Sequence, residues 1–370
     1  MPERWRILHV LDHLGAGGIQ TYALNLFRHW RDGRFEHQIA ALHGPGVNHE
    51  RFVSLGMTPH YAAANRRSLS LPWGLRRIVQ ATRPHVVHVY GVPACLLVES
   101  LRGWLGAPLV ITHLQSTYAD HPGQRYQDYL ERLCYRRADH IVACSHAVTT
   151  GLHRRAPMSI IPNGIDVGRF GVARGRDELR SGLGISRDDF VVGSSGRLVV
   201  GKDPWTLLRA FERVAREETR ARLLWVGGGP LQGELQACLS GHGLLERSHW
   251  TGFVSPDEVP GLLSAMDLFV FPSLREGSPL ALAEAMAAGL PCVCADFPAA
   301  KETLDDGESG LITPRGDDAG MARQILRLMR DAPLRERLAD HAQRQARERL
   351  SAETMASRVA DLYFRLLNNT

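Results

Sequence analysis

"MDLFVFPSLREGSPLALAEAMAAGLPCVCAD" runs from Met266 to Asp296. It opens on an apolar run of Leu, Phe and Val, breaks at Pro272, and turns through Glu276 and Gly277. Ser278 and Pro279 read as the start of a helix of Ala, Leu and Met, which Gly289 and Pro291 stop before a second apolar run begins. Strand, helix, strand in so short a space is a βαβ unit. Its strands are parallel and covered on both faces, so they are continuous apolar runs rather than alternations. Two carboxylates interrupt the pattern, Glu276 in the turn and Glu284 inside the helix, with seven residues between them. A carboxylate among apolar neighbours is costly unless a partner satisfies it. A vicinal diol is such a partner, with two O–H donors for two carboxylate oxygens, and the ribose of a nucleotide carries one. The competing explanation for Glu284 is a salt bridge to an arginine of its own domain. Glu276 stands at the carboxyl end of a buried strand, where open α/β sheets bind ligands. The first turn of the next helix aims amides and a positive dipole end at the same place.

The pattern repeats in both directions. "WRILHVL" (5–11) reads as a strand, and "GAGGIQTYALNLFRHW" (15–30) as a glycine turn entering a helix. "HQIAALH", "PHVVHVYG", "PLVITHL" and "HIVACS" follow as strands with helices between them. A second series contains "DFVVGSSGRL", "RLLWVGGGP", "HWTGFV", "MDLFVFPS", "PCVCADF" and "SGLITP". Between the two lies "MSIIPNGIDVGRF" (158–170), a short apolar run broken by turn formers. The expected organisation is α/β, with two doubly wound domains at 1–166 and 167–350 facing a central cleft. A helix at 351–370 places Met355, Val359, Leu362, Tyr363 and Leu366 on one stripe.

Composition agrees. A chain of 370 residues is too long for one ordinary core. No apolar run reaches the ~18 residues of a membrane-spanning helix, and "MPERWRILHVLDHL" is not a secretory signal. The six cysteines, at 95, 134, 144, 238, 292 and 294, form no CxxC pair and read as small core residues in a reducing cytoplasm. Residues 1–167 hold 18 Arg and no Lys against 11 acidic side chains, a balance of +7, and 14 of the 17 histidines. The remainder carries 26 basic and 28 acidic groups, a balance of −2. A basic front half points to an anionic partner or to a solvated basic face. No nucleic-acid-binding motif accompanies the charge.

Three glycine turns follow strands: "HLGAGGIQTY" (13–22), "VGSSGRL" (192–198) and "VGGGP" (226–230). Each offers free amides, and the first opens a helix, the ordinary form of an anion site. None is GxGxxG, which argues against a dinucleotide-dependent dehydrogenase. Arg197 leaves a strand end, and Lys202 follows just before a helix capped by Asp203 with Pro204 in its first position. Lys202 is one of two lysines against 42 arginines. A fork and a point charge near glycine amides suit a diphosphate.

Taken together, "GRLVVGKDPWTLLRAF", "VGGGP", "IIPNGID" and the long run from Thr251 to Asp296 resemble the retaining, nucleotide-sugar-dependent glycosyltransferases of family 4, which have the GT-B fold of two Rossmann-like domains. The resemblance spans essentially the whole chain. It implies that Arg197 and Lys202 bind the donor diphosphate. Glu276 would hold donor-sugar hydroxyls, helped by amides from Gly277, Ser278, Pro279 and Leu280, and Glu284 would bind the ribose diol. Gly17 and Gly18 would approach the diphosphate and sugar from the other domain, and Gly228 would join the nucleotide site. His113 would hydrogen-bond near the anomeric centre, backbone at Val254 would meet the base, and the last helix would cross back to the first domain. Two departures, Gln20 where the family often has Glu and "EGSPL" where it often has Glu-Gly-Phe-Gly, bear on the identity of the donor sugar.

The implied function is retaining transfer of a hexosyl group from a nucleoside-diphosphate sugar, UDP-sugar before GDP-sugar, to a glycan, lipid-linked or small-molecule hydroxyl in polysaccharide or glycoconjugate biosynthesis. Alternatives are a nucleotide-sugar 2-epimerase or a non-catalytic sugar-nucleotide-binding protein. Asp305–Asp306 and Asp317–Asp318 read as solvated turns, so neither metal nor cofactor is expected. "NRRSLSLPWGLRRIV" (65–79) combines Arg66, Arg67, Arg76 and Arg77 with Leu69, Leu71, Trp73 and Leu75. It reads either as a surface for anionic membrane at the inner face of the plasma membrane or as a helix packed on the sheet with its arginines in solvent.

Overall fold

The computed structural model describes residues 4–15, 17–65, 67–115, 137–150, 156–170 and 175–368. The chain divides into two compact units, Met1–Gly164 with Ala352–Thr370, and Ile165–Ser351.

The first unit is built on a seven-stranded parallel sheet in the order β3-β2-β1-β4-β5-β6-β7. The strands are β1 (Trp5–Leu11), β2 (Phe35–His43), β3 (His60–Ala63), β4 (Val86–Tyr90), β5 (Leu109–Leu114), β6 (His140–Ala143) and β7 (Met158–Ile160). The two edge strands are the ones the sequence does not announce. "HYAA" carries no apolar run, and β7 is the short run that reads as part of a boundary. Leu8, Val10, Val87, Val89 and Val110 fill one face of the sheet. Ile7, Leu11, Val86, Tyr90 and Ile111 fill the other, together with the helix Ala352–Asn368, whose Met355, Val359, Leu362 and Tyr363 are buried there.

That second face contains a polar seam. His9 and His88 are register partners on β1 and β4, as are Tyr90 and His113 on β4 and β5. His9 bonds His37 through one ring nitrogen at 2.8 Å and the Tyr90 hydroxyl through the other at 2.8 Å. His88 Nδ1 meets the Tyr363 hydroxyl at 2.6 Å and that of Tyr90 at 3.1 Å. Burial holds these rings neutral: His37 and His113 are pushed down to about 3, and His9 and His88 well below their ordinary value. These four histidines therefore add no positive charge to the front half.

The second unit has a six-stranded parallel sheet in the order β10-β9-β8-β11-β12-β13. Its strands are β8 (Phe190–Ser195), β9 (Ala221–Val226), β10 (Ser248–Trp250), β11 (Leu268–Phe271), β12 (Cys292–Ala295) and β13 (Leu311–Thr313). Both sheets reverse direction once. In the first unit β1 lies between β2 and β4, and in the second β8 lies between β9 and β11. Ligands of open α/β sheets bind outside the carboxyl ends at such a switch point. No helix among the described residues is long and apolar enough to cross a membrane.

The neutral histidines predict an acid-sensitive first unit. A histidine whose folded pKa is depressed stabilises the fold above its unfolded value near 6.5, and that stability is lost as pH falls toward the folded value. His37 and His113 should each cost about 2 kcal/mol at pH 5 relative to pH 8. Calorimetry across that range should show a melting temperature falling by several degrees. A transition that does not move with pH would contradict neutral rings.

Candidate functional site

In the second unit the switch point gathers the expected charges. β8 and β11 pair through Leu268 with Val192 and Phe269 with Gly193, so the loops that leave them are neighbours. The Leu274 amide donates to the Gly201 carbonyl at 3.1 Å, joining the two loops. Lys202 Nζ donates to Glu276 Oε1 at 2.5 Å, and the Ser273 hydroxyl donates to the same oxygen at 3.1 Å. The two residues read separately as diphosphate and sugar ligands are thus each other's counter-ion. Arg197, on the same loop as Lys202, is exposed and has no carboxylate partner among the described residues. Asp203 caps the helix Pro204–Glu217 by accepting from the Thr206 amide and hydroxyl, with φ +44°.

Two glycine turns lie backbone to backbone beside this loop. The Gly196 amide donates to the Val226 carbonyl at 2.9 Å, and Leu198 to Gly228 at 3.0 Å. A Cβ on Gly227, which has φ +125°, would strike the Gly196 carbonyl oxygen, and one on Gly229 would strike that of Leu198. Gly228 faces the ring of Phe253, which is 79 % exposed. Val254 lies next to it, half-buried, in the loop after β10.

Glu284 lies on the helix Leu280–Ala287, whose Leu282, Ala283, Ala285, Met286 and Ala287 are buried. Part of the residue is open to solvent, but its carboxyl group is desolvated, which raises its pKa to about 7 against the pull of Arg169. Among the described residues its carboxylate forms no hydrogen bond or ion pair, so the salt bridge that sequence reading allowed is not made. Pro279 is the N-cap, the first turn holds no acidic side chain, and the helix starts at Leu280 rather than Ser278. Ser278 supplies an amide at this turn. Pro279 has no N–H to offer, and the Leu280 amide already donates to the Ser278 carbonyl at 2.9 Å.

In the first unit, Gly17 is the extended N-cap of the helix Gly18–Arg28, which has neither a side-chain cap nor an acidic first turn. A Cβ on Gly18 would meet open space. Gln20 is buried, and its amide donates to the His13 carbonyl at 2.8 Å, so the departure from Glu ties down the glycine turn. His113 is the last residue but one of β5 and is 2 % exposed. Its Nε2 faces the Gln115 side-chain amide nitrogen at 3.0 Å, and the Asn163 amide donates to Gln115 Oε1 at 2.7 Å. Among the described residues His113 Nδ1 has no hydrogen-bond partner.

A family model for glycosyl transferases group 1 matches residues 175–345, and one for glycosyltransferase family 4 matches residues 16–169. Between them they account for most of both units. The chain belongs to the family 4 glycosyltransferases. It is an enzyme of the hexosyltransferase class, acting in glycan or polysaccharide biosynthesis. The lipopolysaccharide core biosynthesis glycosyltransferase LpsD of Rhizobium meliloti is 27 % identical over 97 % of this chain and 98 % of its own. The N-acetyl-α-D-glucosaminyl L-malate synthase of Bacillus anthracis is 24 % identical over 81 % of this chain and 80 % of its own. Anabaena Alr3699/HepE, solved in complex with UDP, superposes with a TM-score of 0.85 at 22 % identity, covering 97 % of this chain and all of that one, and shows the GT-B fold.

In this glycosyltransferase two further residues belong beside the expected set. Arg169 donates to the Pro256 carbonyl and to Asp257 at 3.1 Å, and its charge reaches Glu284. Phe253 is an exposed aromatic at the loop expected to meet the base. The signal for Phe253 was its place before Val254; Arg169 had none, because its partners lie 87 and 88 residues away.

Glu284 also sets a test. Its folded pKa is above its unfolded value of 4.5, so its contribution is fully present below pH 4.5 and is lost as pH rises through about 7. Above that, the ionised carboxylate costs on the order of 3 kcal/mol. Glu284→Gln should raise the melting temperature of the free enzyme by several degrees at pH 8 and hardly at all at pH 5. An equal effect at both values would mean that the carboxylate is not held in a desolvated site.

Proposed function

We propose that the enzyme transfers a hexosyl group, with retention, from a nucleoside-diphosphate sugar to a hydroxyl of a glycan, lipid-linked or small-molecule acceptor. The observation that carries this reading is the desolvated Glu284 carboxylate, without a partner among the described residues, on the helix that follows the Lys202–Glu276 pair, with an exposed Arg197 on the loop of Lys202. The ribose diol satisfies Glu284. The diphosphate takes Arg197 and draws Lys202 from Glu276, freeing that carboxylate to accept from sugar hydroxyls. Phe253 and the Val254 backbone border the base.

As the glycosidic bond to phosphate breaks, positive charge grows on the anomeric carbon and negative charge on the leaving diphosphate. Arg197, Lys202 and the Ser278 amide stabilise the latter. In the first unit, Gly17 and Gly18 at the helix start, with open space beside Gly18, are the residues this reading gives to the anion, and His113 the one it gives to the sugar. The leaving phosphate takes the acceptor proton on the face it departs from, so retention needs no separate protein base. A UDP-sugar is favoured because HepE is solved with UDP and with UDP-glucose. No metal is required in this scheme, since the cations supply the charge.

Calorimetric titration of UDP, GDP and ADP in the presence of EDTA tests the donor site. UDP should bind, and Glu284→Ala should weaken it by roughly 30- to 150-fold, equivalent to 2–3 kcal/mol. Failure of all three nucleotides to bind would overturn the metal-independent site.

Peripheral membrane docking is the finer part of the acceptor reading. The helix Leu71–Thr82 buries Leu75, Ile78 and Val79, while Leu69 is 89 % and Trp73 65 % exposed. The Arg76 guanidinium lies 4.6 Å from the Trp104 ring centre, and Arg67 and Arg77 are exposed. Arg66 lies outside the described residues. Vesicles containing anionic lipid should co-sediment the wild type and release the combined variant Trp73→Ser, Arg67→Ser, Arg76→Ser, Arg77→Ser. Equal sedimentation of the two would rule this surface out.

A further inference from the structure

Four of the cysteines, Cys95, Cys144, Cys292 and Cys294, are buried core residues as their sequence suggests, and Cys134 lies outside the described residues. Cys238 differs. It is half-buried on the helix Gln232–Gly241 and bears on the helix Pro204–Glu217. Its Sγ stands 3.7 Å from Glu212 Oε1 and 3.9 Å from His242 Nδ1, and those two atoms are 3.1 Å apart. Cys238 and His242 are four residues apart, which places them on one helical face.

We propose that Glu212, Cys238 and His242 form a binding site for a divalent metal ion of the zinc class. An ion at the centre of this triangle would stand about 2.1 Å from each atom, close to the usual zinc distances to carboxylate oxygen, imidazole nitrogen and thiolate sulfur. In a tetrahedral site, bonds of those lengths put the ligand atoms about 3.3–3.6 Å apart. The observed edges therefore need to change by only a few tenths of an ångström. Thiolate with imidazole selects zinc and its borderline neighbours over magnesium or calcium.

The proton balance is simple. Without metal, His242 Nδ1 approaches the Cys238 carbonyl at 2.9 Å. On binding, the imidazole proton moves to Nε2, on a side chain that is 48 % exposed, and the thiol proton passes to solvent. One proton is released per ion. The carbonyls of the last turn of Gln232–Gly241 face this end, and their negative dipole end favours a cation. Water completes the fourth position. The ion clips two helices that otherwise meet through Phe211, Leu235 and Leu239 in the core of the second unit, at a place separate from the Lys202–Glu276 loops.

The full chain, freed of metal and kept reduced, is titrated with Co²⁺ and followed by absorbance. One equivalent should produce a thiolate-to-cobalt charge-transfer band with the d–d intensity of a four-coordinate ion, and Zn²⁺ should displace it. Cys238→Ser should abolish the charge-transfer band. Glu212→Gln and His242→Ala should each weaken Zn²⁺ at least tenfold in chelator competition, with UDP binding unchanged. A band that persists in Cys238→Ser, or no band with excess Co²⁺, overturns the site. Glu212→Gln, the mildest change, decides the matter if another variant is poorly folded: unchanged Zn²⁺ affinity in it also overturns the proposal.

Discussion

Parallel pairing is the constraint on which both units rest. A strand whose neighbour runs the same way must be re-entered from the far end, so each strand is followed by a helix or a long connection and each carboxyl end by a loop. The strands are then covered on both faces, and polar chemistry is left to the loops. Where strand order reverses, two such loops diverge and leave a crevice. In the second unit the loops after β8 and β11 leave neighbouring strands, which is why Lys202 and Glu276 touch across 74 residues of chain. The glycines at 227 and 229 then let the next loop press against the first, where a Cβ on either would collide with a carbonyl.

The candidate site is costly to the fold. The Glu284 carboxylate is desolvated and without a partner among the described residues, and the Arg169 charge lowers its pKa too little to offset burial. A stability-driven sequence would place Leu or Gln there. Lys202 and Glu276, by contrast, neutralise each other, and in the proposed function a ligand with its own charge and hydroxyls replaces that contact. The site is satisfied at one end and unsatisfied at the other, as expected of a surface complementary to a molecule that carries both anion and diol.

The first unit uses its histidines differently. Composition alone makes them part of a basic front half. In the fold, His9, His37 and His88 lie on one face of adjacent strands; His9 bonds His37 and the Tyr90 hydroxyl, and His88 bonds the hydroxyls of Tyr90 and Tyr363. A histidine between Leu8 and Val10 fits a strand with one wet face. The helix Gly18–Arg28 and the helix Ala352–Asn368, from the far end of the chain, together bury this face.

Strand positions, helix caps, the glycine turns and the two carboxylates were legible in the sequence because each depends on residues within one strand or one turn. Asp203 caps its helix through a neighbour three residues away, and Glu284 stands out because its own helix is apolar. Contacts between distant segments were not legible. The edge strands β3 and β7, the Lys202–Glu276 pair, the link from Arg169 to the 251–258 loop and the approach of Glu212 to Cys238 all join residues whose spacing carries no period. Local pattern therefore determined the elements, the parallel class of the sheets and the family. Tertiary packing decided which charges are spent on one another and which are left for a ligand, because burial and pairing energies depend on neighbours that only the folded chain brings together.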